Sequence, residues 1–133
     1  MNEQIQALCD FLNASHSVYH AAAYLAKELE NSGYTRLYEA DSWELVPGGK
    51  YYLVRGGTAV MAFRIPEGNP KGFLMSASHA DRPTFKIKEN AELRDGHTLR
   101  LSVEKYGGML CATWMDRPLS VAGRVTVRTP AGM

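Results

Sequence analysis

The sequence predicts an α/β fold: two N-terminal helices, then a mixed β-sheet that runs on into a β-rich segment. Three observations predict it. Apolar residues first recur on a 3.6-residue period, at Ile5, Leu8, Cys9 and Leu12 and again at Val18, Ala21, Ala22, Leu25 and Leu29. Beyond Gly33 the pattern changes to short runs rich in β-branched and aromatic residues, as strands require. Glycine pairs at Gly48-Gly49, Gly56-Gly57 and Gly107-Gly108 fall between those runs, where turns belong. Helices followed by many strands fit an α+β arrangement or a mixed α/β sheet.

Each element has its own local signal. Asn2 is placed to cap the first helix, and residues 13–17 interrupt it. Ser17 is placed to cap the second helix, and Gly33 to end it in a left-handed conformation. Residues 34–39 make a short aromatic strand. KYYLVRGGTAVMAFRIP reads as a hairpin turned at Gly56-Gly57. GFLMSAS, residues 72–78, is apolar on both faces and predicts a central buried strand. Residues 85–88 and HTLRLSVEKYGG alternate, with Leu99, Leu101 and Val103 on one face. Residues 109–114 and 121–128 complete the expected strands. The chain then stops at RTPAGM, after a strand that has every sign of having a partner, so truncation is expected rather than a closed edge.

Composition narrows the function classes. The 133 residues are 45% hydrophobic and 22% charged, which is globular and argues against disorder. A chain of this size buries roughly two-thirds of its unfolded surface, enough for a core. Fifteen basic and 14 acidic residues leave a formal charge of +1, so no basic field supports nucleic-acid binding. Cys9 and Cys111 lie far apart, with no CxxC and no signal peptide, and read as reduced thiols of a cytoplasmic protein. No apolar run approaches the roughly 18 residues of a membrane span. Neither a Gly-x-Ser-x-Gly elbow nor a glycine-rich phosphate loop is present.

The segment with most chemistry is SASHADRP, residues 76–83. An apolar strand runs into His79, and Asp81 follows two residues on. Residues i and i+2 of an extended chain point the same way. His79 and Asp81 can therefore lie side by side at the C-terminal end of a strand, where α/β sheets place their ligands. A metal-binding histidine commonly donates its second ring N–H to a carboxylate, and His-x-Asp supplies that pair. A hydrogen-bonded structural histidine satisfies the same spacing. A catalytic zinc needs three protein ligands, and only one can be nominated here. His16, His20 and His97 fall in a loop, a helix and a turn, and read as solvated or capping side chains.

Several segments, taken in order, resemble the aspartyl aminopeptidase family of zinc metallo-aminopeptidases. FLNASHSVYHAAAYLAKELENSGYTRL is similar to the family's Phe-Leu-x-x-Ser opening and its first helices. DSWELVPGGKYYLVRGGTAVMAFRIP is similar to its Trp, Pro-Gly-Gly-Lys-Tyr-Tyr and glycine-turned hairpin. SASHADRP aligns with its Ala-His-Thr-Asp-Ser-Pro metal motif. VEKYGGMLCATWMDRPLSVAGRVTVR aligns with its Val-Glu-x-Tyr-Gly-Gly, Thr-Trp-x-Asp-Arg-Asp-Leu and Ala-Gly-Arg-Val block.

The resemblance implies the N-terminal part of a two-zinc, two-domain enzyme that removes N-terminal residues, preferably Asp or Glu, from peptides and assembles into homo-oligomers. Residues 1–95 would begin the catalytic domain, and 96–133 the inserted β-rich dimerisation domain. His79 matches the family's first zinc-ligand histidine, and Asp81 the active-site carboxylate that orients it. The remaining ligands and the general base match nothing in this sequence, so the isolated chain is expected to be inactive and to bind zinc weakly or not at all. The family's Thr and Ser flanking the aspartate are Ala80 and Arg82 here, and the second Asp of Asp-Arg-Asp is Pro118. Arg82 brings a cation towards a dication site, which is unfavourable unless it is paired or turned away. A different class stays open: a non-catalytic β-rich module that assembles or binds peptides through an open strand edge.

Overall fold

The structure, a computed structural model, describes residues 2–130. Of the terminal RTPAGM, the last three residues lie outside the described residues. The chain divides into two compact units: one built from the residues up to Ala80 together with those from Ala122 on, the other of Asp81–Val121.

The first unit opens with α1, Glu3–Ala14. Asn2 caps it by accepting from the Gln4 backbone N–H at 3.0 Å, and Glu3 lies favourably in the first turn. The expected stripe is present, but Ile5, Leu8 and Leu12 are exposed. Phe11 packs edge-on against Tyr24 of α2, Val18–Asn31, with ring centroids 5.5 Å apart. Ser17 is the N-cap of α2 by backbone conformation, while its hydroxyl lies 2.8 Å from Nδ1 of His20 rather than on a backbone N–H. At the other end Gly33 N–H bonds to the Glu30 carbonyl and Tyr34 N–H to that of Leu29, the paired bonds of a Schellman stop.

Three strands follow in a mixed sheet: β1 (Thr35–Arg36), β2 (Lys50–Arg55) and β3 (Ala59–Arg64), in the order β1-β2-β3. β1 runs parallel to β2, and β3 antiparallel to it, with Arg55 opposite Ala59 across the Gly56-Gly57 turn. The core sits between α2 and β2. Ala21 and Ala22 are buried on the helix, and Tyr51, Tyr52 and Leu53 on the strand. The small alanines let the helix approach the tyrosine-bearing strand closely. Gly49 is required by space: a Cβ there would stand 2.5 Å from both Cε2 and the hydroxyl oxygen of Tyr51. That hydroxyl accepts from Val46 N–H at 2.9 Å, so the ring is pinned. From the C-terminal part of this unit, Arg124 stacks over the Tyr19 ring at 4.5 Å.

The second unit is a long hairpin of β4 (Thr84–Asp95) and β5 (Thr98–Tyr106). Its register shifts between Ile87 and Glu92, where Asn90 takes a positive φ of 51°. A 3-10 turn at Cys111–Trp114 brings Trp114 edge-on to Phe85, centroids 5.4 Å apart.

Helices, mixed sheet and the Gly56-Gly57 hairpin turn agree with expectation, while the strand expected at residues 85–88 runs on to Asp95 and pairs with β5. Three expected strands do not form. GFLMSAS is extended but joins no sheet, and Phe73 and Met75 are 94% and 86% exposed. A strand apolar on both faces needs neighbouring strands and a covering layer on each side, and the described residues supply neither. Residues 109–114 hold the 3-10 turn at Cys111–Trp114 instead, which sets Trp114 against Phe85. Residues 121–128 stay irregular, held through Arg124 rather than by a ladder.

Candidate metal-site segment

His79 lies at the end of the extended 72–80 stretch, exposed, in the first unit. Asp81 begins the second. Within that second unit Asp81 is tied to the hairpin. The hydroxyl of Tyr106 donates to Asp81 Oδ2 at 2.8 Å. Tyr106 pairs with Thr84 at the end of the β4–β5 ladder, three residues from Asp81, so the strand register delivers the phenol to the carboxylate. The next residue, Gly107, has a φ of +76°, and a Cβ on it would meet Pro83 Cα at 3.5 Å. A left-handed residue packed against Pro83 favours glycine. Tyr-Gly-Gly and Asp-Arg-Pro are therefore two sides of one contact. The hydrogen bond to Asp81, then the carboxylate's negative charge, raise the Tyr106 pKa, because both oppose a second anion there.

The other histidines stay apart from this segment in role. His16 and His20 meet edge-on at 5.7 Å near the start of α2, and His97 sits in the β4–β5 turn. Cys9 and Cys111 are free thiols, each half-buried. Among the described residues no three His, Cys, Asp or Glu side chains gather where they could hold a metal ion. His79 with a carboxylate two residues on fits one position of a zinc site by donor chemistry, and does not complete a site.

The sequence model of the M18 family, described as aminopeptidase I zinc metalloprotease, matches residues 11–133. This chain belongs to the M18 family. A probable M18 family aminopeptidase 2 from Pseudomonas putida (strain GB-1) is 47% identical over 123 residues, covering 91% of this chain and 29% of the relative. The chain thus spans about 29% of the length of the curated relatives it matches. Among solved structures, a cryo-EM structure of the Ape4 and Nbr1 complex superposes with a TM-score of 0.86 at 38% identity, covering 93% of this chain and 24% of that one. The mApe1 dodecamer of Saccharomyces cerevisiae gives a TM-score of 0.71 at 27% identity, covering 86% and 28%. The M18 assignment bears out the resemblance read from the sequence, and the α/β class with it.

The His-x-Asp spacing and the resemblance to aspartyl aminopeptidases singled out His79 and Asp81 but not Tyr106 as a partner of Asp81. The signal was present: Tyr106 opens the Tyr-Gly-Gly motif, and a conspicuous tyrosine before two glycines at a strand end has a hydroxyl to place. What the sequence lacked was the β4–β5 register. Among the described residues no helix is long and apolar enough to cross a membrane.

Proposed function

We propose that this chain is the N-terminal portion of a zinc-dependent aminopeptidase that removes N-terminal acidic residues from peptides in the cytoplasm. The observation that carries the reading is the M18 match over residues 11–133, which includes the His79-Ala80-Asp81 motif. In this reading His79 is a zinc ligand and Asp81 the carboxylate that fixes its ring. Zinc in such a site acts as a Lewis acid and activates water. The contribution of this chain is to hold and orient one imidazole, and no residue in it is assigned as general base. The isolated chain is therefore inactive.

The same reading assigns the residues after the hairpin turn at 95/96 to the start of an inserted dimerisation domain. That keeps His79 and Asp81 together in residues 1–95, while the compact unit Asp81–Val121 carries the whole β4–β5 ladder. A homo-oligomer fits both the exposed apolar side chains of this unit and the dodecamer of the similar mApe1.

The test compares the full-length protein and the isolated chain on peptides that begin with Asp, Glu or Leu, with zinc supplied. The full-length protein should release Asp and Glu faster than Leu, should lose activity in His79→Ala, and the isolated chain should release nothing. Equal rates on all three peptides would refute the acidic preference. Activity retained in His79→Ala would refute the site.

A further inference from the structure

We propose that Tyr106 is a positioning residue for the metal site, acting through Asp81; this rests on the reading of His79 and Asp81 given above. A carboxylate that orients an imidazole must itself be oriented. Asp81 is exposed and follows an extended stretch, before the β4–β5 ladder begins. The Tyr106 hydroxyl donates to Oδ2 at 2.8 Å and restrains the rotation of the carboxyl plane. The phenol is in turn held by the strand ladder, through the Thr84–Tyr106 and Phe85–Lys105 pairs, and by the packing of Gly107 on Pro83. The donor end of the hydrogen bond is thus anchored in the hairpin, and the acceptor lies three residues before the start of β4. Within this unit, what disturbs the end of β5 disturbs the plane of the Asp81 carboxylate.

Chemistry decides why a tyrosine suits the position. A phenol donates one hydrogen bond and carries no charge at neutral pH, so it orients the carboxylate without neutralising it. A lysine or arginine at the same place would compete with the imidazole for the negative charge. Carboxylates hydrogen-bonded to metal-ligand histidines typically contribute about 10–100-fold to metal affinity or activity. A donor one step further out should contribute less, roughly threefold to tenfold.

The experiment uses the full-length protein and four variants: Tyr106→Phe, Asp81→Asn, their double, and His79→Ala. Zinc affinity is measured by competition with a chelator, and kcat and KM on an N-terminal aspartyl peptide, with thermal unfolding as the control for folding. Tyr106→Phe should weaken zinc binding and lower kcat by roughly threefold to tenfold with KM nearly unchanged. In the Asp81→Asn background the same change should add nothing, because the carboxylate it orients is gone; a merely structural tyrosine would act additively. Wild-type zinc affinity and kcat in Tyr106→Phe, or additive losses in the double variant, would overturn the proposal while leaving the metal-site reading intact. If His79→Ala and Asp81→Asn leave zinc affinity unchanged, the metal-site reading fails, and the role of Tyr106 with it.

Discussion

Tyr52, fully buried on β2, donates its hydroxyl to the Glu30 carboxylate of α2 at 2.5 Å. This bond joins the second helix to the sheet across the small core. Removing the hydroxyl in Tyr52→Phe keeps the ring and costs about 1 kcal/mol of stability. Burial first, and the Glu30 hydrogen bond second, raise the Tyr52 pKa above its ordinary value. A raised phenol pKa means the folded state holds its proton more tightly than the unfolded chain. That contribution is fully present below about pH 10 and is lost as pH rises through the folded pKa. Chemical denaturation of both proteins from pH 7 to 11 checks it: the gap between wild type and Tyr52→Phe should be constant up to pH 9 and narrow beyond. A gap that widens with pH would contradict the sign.

Gly49 offers a sharper test of packing. A Cβ at 2.5 Å from two atoms of a pinned tyrosine cannot be accommodated without moving the Tyr51 ring. Gly49→Ala should therefore destabilise by about 1–3 kcal/mol, the range for forced overpacking. The neighbouring Gly68, where an added Cβ meets nothing within 4 Å, serves as the control, and Gly68→Ala should be nearly neutral. Equal effects at both positions would mean that the Tyr51 ring moves aside freely.

These positions show what was legible in the sequence. The helices, the Schellman stop at Gly33 and the hairpin at Gly56-Gly57 depend on residues close in sequence, and local chemistry predicts them. Strand formation at 72–78 depends on neighbours elsewhere in space. Apolarity on both faces marked the segment as one that seeks a sheet, but could not say that the described residues supply none. The candidate site divides in the same way. His79 and Asp81 are two residues apart and were visible together. Tyr106 is 25 residues from Asp81 and became visible only through the strand register.

Zinc binding by the isolated chain follows from the ligand count. One histidine and one neighbouring carboxylate leave most of the coordination to water, which gives little affinity. Calorimetric titration of the chain with zinc should show no tight stoichiometric site, and His79→Ala should leave the isotherm unchanged. Tight one-to-one binding abolished by His79→Ala would show that the chain gathers further ligands around this histidine in solution.

The last prediction concerns the hairpin. On β5, Leu99, Leu101 and Val103 alternate onto one face, and all three are exposed, as is Ile87 opposite Val103. A two-stranded hairpin is marginally stable alone in water, and an exposed apolar face rewards whatever covers it. The charges along the strands act against random sticking: Lys86 pairs with Glu104 at 3.7 Å, and Arg100 with Asp95 at 3.8 Å. Such exposed pairs contribute little stability, but they keep the polar positions solvated and leave the apolar face as the surface that associates. The chain should therefore self-associate at micromolar concentration through this face. Trp114, packed on Phe85 of the same unit, and the exposed Leu119 lie close enough in the chain to report on it. Sedimentation should give a homodimer or larger species, and Leu101→Lys should shift it to monomer without unfolding the first unit. Dilution should change Trp114 fluorescence in the wild type and not in Leu101→Lys. A wild-type chain that sediments as a clean monomer, with fluorescence independent of concentration, would show that this face does not drive association.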